Sequence, residues 1–344
     1  MRSLGRGPLP LFFDEVQRLP DAGLFLKGLV DRRPGVAIYA TGSSSFDLEA
    51  RTRESLAGRA VRHLLLPFSL AELAPGMEAP GDPAGTRTAE VVERILVFGG
   101  YPAVVRAERP ESELAALVES FVIRDASDRF KVRNVAAFRK VLDLAAGQIG
   151  NLVNFSEWAS LAGVSNDTVA EYVRLLEETH VVRLIRPFIG GKRAELTSAP
   201  KIFFVDNGVR NLIFGGFAPS RGRADQGALW ENLVLSEMLK YSNPILDSIR
   251  YWRSKAGAEV DFVFESRGSQ VAVEVKAGDA RDSLTRSARS FIDAYQPPFF
   301  LLVNARRLPT QRIGRTEVRF ITPGDFHADF RPLCRFPGGQ ESGA

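Results

Sequence analysis

Eighteen residues, Glu259–Lys276, constrain this chain more than any other stretch. They read Glu-Val-Asp-Phe-Val-Phe-Glu-Ser, then Arg267-Gly268, then Ser-Gln-Val-Ala-Val-Glu-Val-Lys. Two alternating runs meet at a turn where glycine supplies the positive φ. Pairing Ser266 with Ser269 sets Asp261 directly opposite Glu274. Period-two alternation then puts Glu274 and Lys276 on one face, and Val260, Phe262 and Phe264 with Val271, Val273 and Val275 on the other. Opposed carboxylates with Cβ atoms ~4.5–5.5 Å apart repel and destabilise a hairpin. A divalent cation between them relieves that repulsion, and Lys276 then stabilises a developing oxyanion. Glu231, in Leu229-Trp230-Glu231-Asn232-Leu233, shares a partly apolar helical face with Ala228 and Leu235 and is placed to be a further metal-binding acid. The plain alternative is a surface pair of Glu274 with Lys276 and a strand-end acid at Asp261.

The pattern around this hairpin is mixed α/β. A helix is expected over 226–241, strands near 249–253, 258–264 and 271–276, a helix over 283–295, and strands near 299–303 and 317–321. Upstream, Ile202–Val205 reads as a strand. Before it, Phe155–Ala162 reads as a helix, Gly163-Val164-Ser165 as a tight turn, and Asn166–Thr179 as a second helix capped by Ser165 or Asn166. Strands Val181–Pro187 and Arg193–Leu196 would flank a tip at Gly190-Gly191-Lys192-Arg193. This is a winged helix-turn-helix pattern. Its second helix carries Asp167, Glu171, Glu177 and Glu178 against Arg174, a charge balance poorly suited to a phosphate-lined groove. The wing is better suited, with Arg183, Arg186, Lys192 and Arg193, and Lys192 and Arg193 are the expected DNA contacts. The competing reading is a packing module.

At the amino-terminal end, Leu9–Phe13 reads as a buried strand that ends in Asp14-Glu15. A helix from about Asp21 to Asp31 leads to a second strand, Val36–Ala40, ending in Thr41-Gly42-Ser43-Ser44-Ser45. A third strand is expected at Val61–Leu66. Short apolar strands separated by helices indicate a parallel α/β sheet. A strand ending in two acids suits a Walker B element, with Asp14 holding the Mg²⁺ shell and Glu15 polarising the attacking water. The hydroxyls that follow the second strand are placed to sense a γ-phosphate. Ala74–Thr88 is rich in Pro and Gly and reads as a linker, and 89–150 is helical with a break at Gly99-Gly100-Tyr101-Pro102.

Composition removes several classes. A chain of 344 residues exceeds what one hydrophobic core holds, and 45% hydrophobic with 25% charged residues excludes a largely disordered one. A net charge of +4 is too small to establish nucleic-acid binding. The single cysteine, Cys334, excludes an intramolecular disulfide framework and fits a reducing compartment. No apolar run approaches the ~18 residues of a membrane span. The expected location is the cytoplasm, without a membrane partner. His63, His180 and His327 are isolated and lack metal-ligand spacing.

Several ordered motifs carry a family resemblance. Phe12–Pro20, Ala40–Ser45, Ser55–Arg59, Leu66–Ser69, Phe98–Pro102, Lys201–Arg210 and the final Glu-Val-Asp and Glu-Val-Lys pairs resemble a large bacterial and archaeal family. Its members are AAA-type ATPases joined to a C-terminal domain of unknown function 4143, and the resemblance covers nearly the whole chain. It implies that Asp14 and Glu15 are the Walker B acids, that Ser43 or Ser44 is the sensor, and that Arg59 is a finger or sensor arginine. ATP and Mg²⁺ are the implied cofactors. The Asp261–Lys276 segment also resembles PD-(D/E)xK nucleases. That implies Mg²⁺ at Glu231, Asp261 and Glu274, with Lys276 catalytic. The expected class is α/β. It comprises a partial P-loop NTPase (AAA-type) parallel sheet over 1–75, a linker over 76–88, a helical segment over 89–150, a winged helix over 151–200 and a mixed α/β restriction-endonuclease-like domain over 201–335.

One departure stands out. The family's Gly-x-x-x-x-Gly-Lys-[Ser/Thr] loop, whose backbone N–H groups hold phosphates, does not occur, and no lysine is followed by Ser or Thr. The strand expected at 61–66 then faces a gap where a partner belongs. Either the reading frame opens upstream of Met1 or the chain is a degenerate member, and intact downstream motifs favour the first. These residues alone are expected not to hold ATP tightly. Three classes compete: a nucleotide-dependent AAA-type protein, a metal-dependent nuclease acting on DNA, and a non-enzymatic scaffold that binds DNA, a protein or further copies of itself.

Overall fold

The computed structural model describes residues 9–32, 35–42, 56, 58–61, 63–73, 86–120, 132–188, 199–278 and 283–334. It divides into two compact units. One holds the described residues up to Leu65 together with Arg174–His180, and the other holds the remainder.

In the first unit, β1 (Leu11–Phe13) and β2 (Ile38–Ala40) pair in parallel, Leu11 to Ile38 and Phe13 to Ala40. Helix α1 (Ala22–Arg32) lies between them in sequence. Parallel neighbours need such a crossover. Val16, Ala22 and Leu26 are buried, with Phe13, Ile38, Ala40 and Leu56 against them. The outer residues Phe12 and Tyr39 stack with ring centroids 4.8 Å apart. The third strand expected at 61–66 does not form among its described residues. No strand beyond β1 and β2 joins this sheet among the described residues, and Val61 and Leu65 are 81% and 96% exposed. An extended segment without a neighbour leaves its backbone groups to water.

The second unit opens with helices α2 (Leu70–Leu73), α3 (Thr86–Phe98), α4 (Pro102–Arg106), α5 (Pro110–Leu117) and α6 (Val135–Gly147). The break at Gly99–Pro102 falls where expected. Residues 76–85 of the expected linker lie outside the described residues, and 86–88 already belong to α3. Helix α7 (Phe155–Ala162) ends at Gly163, whose φ of 67° closes the turn. Helix α8 (Asn166–Glu178) follows, and Ser165 Oγ accepts the Thr168 N–H at 3.2 Å as its cap. The tip and second strand expected at 190–196 lie outside the described residues.

Eight strands form one mixed sheet. They are β3 (Val182–Pro187), β4 (Lys201–Phe204), β5 (Asp247–Arg253), β6 (Glu259–Ser266), β7 (Ser269–Val275), β8 (Phe299–Val303), β9 (Leu308–Ile313) and β10 (Thr316–Ile321). Their spatial order is β4-β3-β5-β6-β7-β8-β10-β9. Strand β3, expected as one side of a wing, pairs with β4 and joins β5 of the hairpin sheet. Helices cover both faces. Helix α10 (Gln226–Tyr241) and α12 (Phe326–Cys334) bury Phe262, Phe264, Val273, Leu301 and Val303. Helix α11 (Arg286–Tyr295) buries Val263, Ala272, Phe300 and Leu302 on the other side. Strand β7 is buried throughout Val271–Val275, as a central strand covered on both sides must be. No helix among the described residues is long and apolar enough to cross a membrane.

One buried acid fastens the helices to the sheet. Asp206 caps α9 (Asn207–Ile213), accepting from the Gly208 and Val209 amides at 2.8 and 3.2 Å. Its second oxygen accepts the Gly100 amide at 2.7 Å. A Cβ at Gly99, where φ is +76°, would collide with this carboxylate. Gly99→Ala is expected to destabilise the chain by about 2–4 kcal/mol, combining strained φ with overpacking. Denaturant midpoints of variant and parent check it, and equal midpoints contradict the clamp.

Candidate functional site

The hairpin folds in the expected register, with Ser266 paired to Ser269 and Phe262 to Val273. Arg267 and Gly268 both have positive φ, 48° and 83°, as a two-residue turn of the primed kind requires. One expectation fails. Val260 packs with Val263 on the α11 side, not with Phe262. The β5–β6 register shifts between Arg250 and Trp252, so β6 carries an extra residue there. Such a bulge flips the alternation at the strand's start.

That irregularity lies beside Asp261, whose Oδ2 accepts the Val275 N–H at 2.7 Å. Glu274 is buried. Its Oε1 lies 2.8 Å from Lys276 Nζ, and its Oε2 accepts from Thr285 Oγ1 at 2.9 Å. Thr285 also caps α11, accepting the Ala288 amide at 3.0 Å. Glu231 enters from α10. The backbone of Gly150, with φ +76°, passes close enough that a Cβ there would sit 3.3 Å from Glu231 Oε2. Two further groups, not anticipated from the sequence, complete the cluster. Buried Lys201 at the start of β4 forms an ion pair with Glu259 at the start of β6. It also lies 5.4 Å from the Tyr251 ring centroid.

The charges do not cancel. Lys201 and Lys276 each have a carboxylate partner, Glu259 and Glu274, while Glu231 and Asp261 face each other's fields. Burial, then Asp261, pushes Glu231 up to about 8. Burial likewise pushes Asp261 up to about 6, against the pull of Lys276 and the Val275 amide. Burial pulls Lys276 down, but the Glu274 hydrogen bond and the surrounding acids outweigh it and leave its affinity for a proton raised. Oxygen donors carrying excess negative charge match a hard divalent cation. Among the described residues no three His, Cys, Asp or Glu side chains converge as a preassembled metal site. Glu274 is held by Lys276 and Thr285, while Glu231 and Asp261 both hold a proton more tightly than a free carboxyl does.

In the first unit, Asp14 and Glu15 follow β1, and Thr41 follows β2. Thr41 Oγ1 donates to Asp14 Oδ1 and accepts the Glu15 N–H at 3.3 Å. Glu15 takes a left-handed backbone, φ 52°, which costs a non-glycine residue roughly 1–2 kcal/mol. Its carboxylate pairs with Arg18 at 3.4 Å. Arg59 pairs with Asp31 at 3.5 Å, both partly exposed. Ser43, Ser44, Lys192 and Arg193 lie outside the described residues, whereas Arg183 and Arg186 of β3 are exposed.

Comparisons with known proteins bear on this architecture. Residues 2–74 match the AAA domain family, 89–220 a domain of unknown function (DUF8612), and 226–321 a domain of unknown function (DUF4143). The chain is thus an α/β protein with an AAA domain at its amino-terminal end. More particularly, an AAA domain match at the amino-terminal end stands together with a DUF4143 match at the carboxyl end. An uncharacterized protein of Mycobacterium tuberculosis is 29% identical over 284 residues, 80% of this chain and 60% of its own length. One from Haemophilus influenzae is 28% identical over 250 residues, 69% and 58% of the two chains. One from Methanocaldococcus jannaschii is 24% identical over 266 residues, 74% and 58%. The chain spans about 60% of the length of the first of these relatives. No solved structure matches it.

The raised acid has a measurable consequence. Glu231 binds its proton more tightly folded than unfolded, so its contribution to stability is complete below about pH 4.5 and is lost as pH climbs toward 8. Glu231→Gln removes that loss. In EDTA, its stability relative to the parent is expected to rise between pH 5 and pH 8, by on the order of 2–4 kcal/mol. Thermal melts at both pH values check it, and a pH-independent difference contradicts the charge account.

Proposed function

We propose that the carboxyl-terminal part of this AAA-type family member is a PD-(D/E)xK nuclease-like domain. It holds a divalent cation between Asp261, Glu274 and Glu231 and acts on a phosphodiester of DNA. The observation that carries this reading is geometric: Asp261, oriented by the Val275 amide, stands by the end of a strand where Glu274 is paired with Lys276, and Glu231 enters from α10 close enough for Asp261 to raise its affinity for a proton. A cation bound there would polarise the phosphoryl oxygens and lower the pKa of a bound water. The chain's own residues do the rest. Asp261 and Glu231 supply oxygen ligands from β6 and α10, and Asp261 is oriented by the Val275 amide. Glu274 would be the third oxygen ligand, and Lys276, now paired with it, would be available to stabilise charge developing on the scissile phosphate.

In the amino-terminal half the reading assigns Asp14 to the Mg²⁺ shell of ATP and Glu15 to the attacking water, with Ser43 or Ser44 sensing the γ-phosphate and Arg59 completing the charge. The winged-helix part would bring DNA to the basic side of β3. Arg183 and Arg186 of β3 are exposed, and Lys192 and Arg193 follow them in sequence as the further expected contacts. A second reading, binding without cleavage, is favoured by one observation: Glu274 is already satisfied by Lys276 and Thr285.

Plasmid nicking in Mn²⁺ or Mg²⁺ separates the two. Nicking by the parent and a loss of at least ~100-fold in Lys276→Ala are expected for a charge-stabilising catalytic group. Equal nicking by both removes Lys276 from the chemistry, and none by either favours the binding-only role. For the wing, the double variant Lys192→Ala, Arg193→Ala is expected to flatten the slope of log affinity against log salt by about 2 in gel shifts. An unchanged slope removes the wing as the DNA contact.

A further inference from the structure

Another polar side chain is buried at the same end of the sheet and takes no part in the account above. Asn304 directly follows β8 and is fully buried. Its backbone N–H donates to the Ile321 carbonyl at 2.8 Å. Its carboxamide is unused: neither Oδ1 nor Nδ2 has a hydrogen-bond partner. A carboxamide offers two donors and two acceptor lone pairs, and leaving all of them empty in an interior is rare enough to call for an explanation.

The parallel register names its neighbour. Strand β7 pairs with β8 from Val271–Phe299 through Val275–Val303 without a shift. The Lys276 N–H continues the ladder to the Val303 carbonyl at 2.8 Å. Asn304 therefore stands beside Lys276, one step past the last strand pair. Alternation places the two on one face. Ala272, Phe300 and Leu302 pack on the α11 side, so Glu274, Lys276 and Asn304 continue that row. Glu274 confirms the placement, since it accepts from Thr285 at the start of α11.

We propose that Asn304 is a positioning residue for Lys276. Lys276 here is committed to Glu274 at 2.8 Å. A cation that claims the Glu274 carboxylate must displace that ammonium, and Asn304 Oδ1 is the unoccupied acceptor in the adjacent row. Moving there keeps the charge at the sheet end instead of releasing it to water. The polar group left without a bond in one arrangement is thus the partner that the lysine needs in the other. This inference rests on the cation reading of the Asp261–Glu274 site.

A double-mutant cycle on cation affinity tests it. Mn²⁺ is titrated calorimetrically into the full chain as parent, Asn304→Leu, Lys276→Ala and the double variant. Asn304→Leu is expected to weaken Mn²⁺ binding on the order of tenfold, the size of effect usual for a residue that orients a ligand-shell group. In the Lys276→Ala background, where no ammonium has to be rehoused, the same substitution is expected to change nothing. Because it removes an unbonded polar group, Asn304→Leu should also melt no lower than the parent. Asn304→Ala repeats the cycle if the leucine variant fails to fold. If the parent binds no Mn²⁺, the cation reading fails and takes this inference with it. If the parent binds but Asn304→Leu has no effect, or weakens binding equally in both backgrounds, the cation site stands and the role of Asn304 is overturned.

Discussion

Burying carboxylates at the end of a sheet costs free energy that paired cations only partly offset. Four acids, buried Asp261 and Glu274 with partly buried Glu231 and Glu259, meet two lysines, Lys201 and Lys276, in a region where β4, β6, β7 and α10 come together. Each lysine offsets one acid. The remaining two hold their protons more tightly than free carboxyl groups do, because desolvation first, and then a neighbouring acid (Asp261 for Glu231, Glu274 for Asp261), penalises ionisation. A fold selected only for stability has a simple remedy, apolar residues of the same volume, which replace buried ion clusters at no loss. Retaining the cluster fits a site whose charge is completed by something that binds.

The scaffold around this cluster is rigid for reasons that have nothing to do with charge excess. Asp206 is equally buried, yet three backbone amides satisfy it. Four residues on, Arg210 donates to Ala146 O at 2.9 Å and pairs with Asp225. Asn211 reaches the Leu96 and Val97 carbonyls, both at 2.9 Å. Together they tie α3, α6 and α9 to the strand β4 that delivers Lys201. Glu231 is set on the same framework, since Asn232 beside it accepts the Phe204 amide at 2.7 Å. A satisfied polar network thus holds the backbone from which the unsatisfied one projects.

Much of this was legible in the sequence, and the failures share a cause. Hairpin register followed from a Gly turn and alternation, and helices α7, α8 and α10 from their residue pattern, with a cap at Ser165 or Asn166 read for α8, because these signals are local. The Val260 face was missed because a bulge is set by the partner strand β5, whose register the chain's local pattern does not encode. Helix α9, seven residues long, and edge strand β9, which contains Pro309 and is largely exposed, are too short or too polar to show a period. The 61–66 strand was inferred from apolar content alone, and apolar content does not make a strand without a neighbour to pair with. Lys201 and Glu259 each open a motif of the family resemblance but were assigned no role in the site. They become visible only when β4 and β6 are folded so that both start near Asp261.

The two acid pairs of the chain illustrate what burial adds to a motif. Asp14 is exposed and shares its proton acceptor capacity with Thr41. Glu15 is tied to Arg18. Local partners satisfy both, and Glu15 holds a left-handed φ of 52°. Asp261 and Glu231 are different in kind, because burial raises the affinity of both for a proton and so penalises their ionised forms. Sequence motifs nominated both pairs on similar grounds. Burial separates them: only the carboxyl-terminal pair has its proton affinity raised by its surroundings.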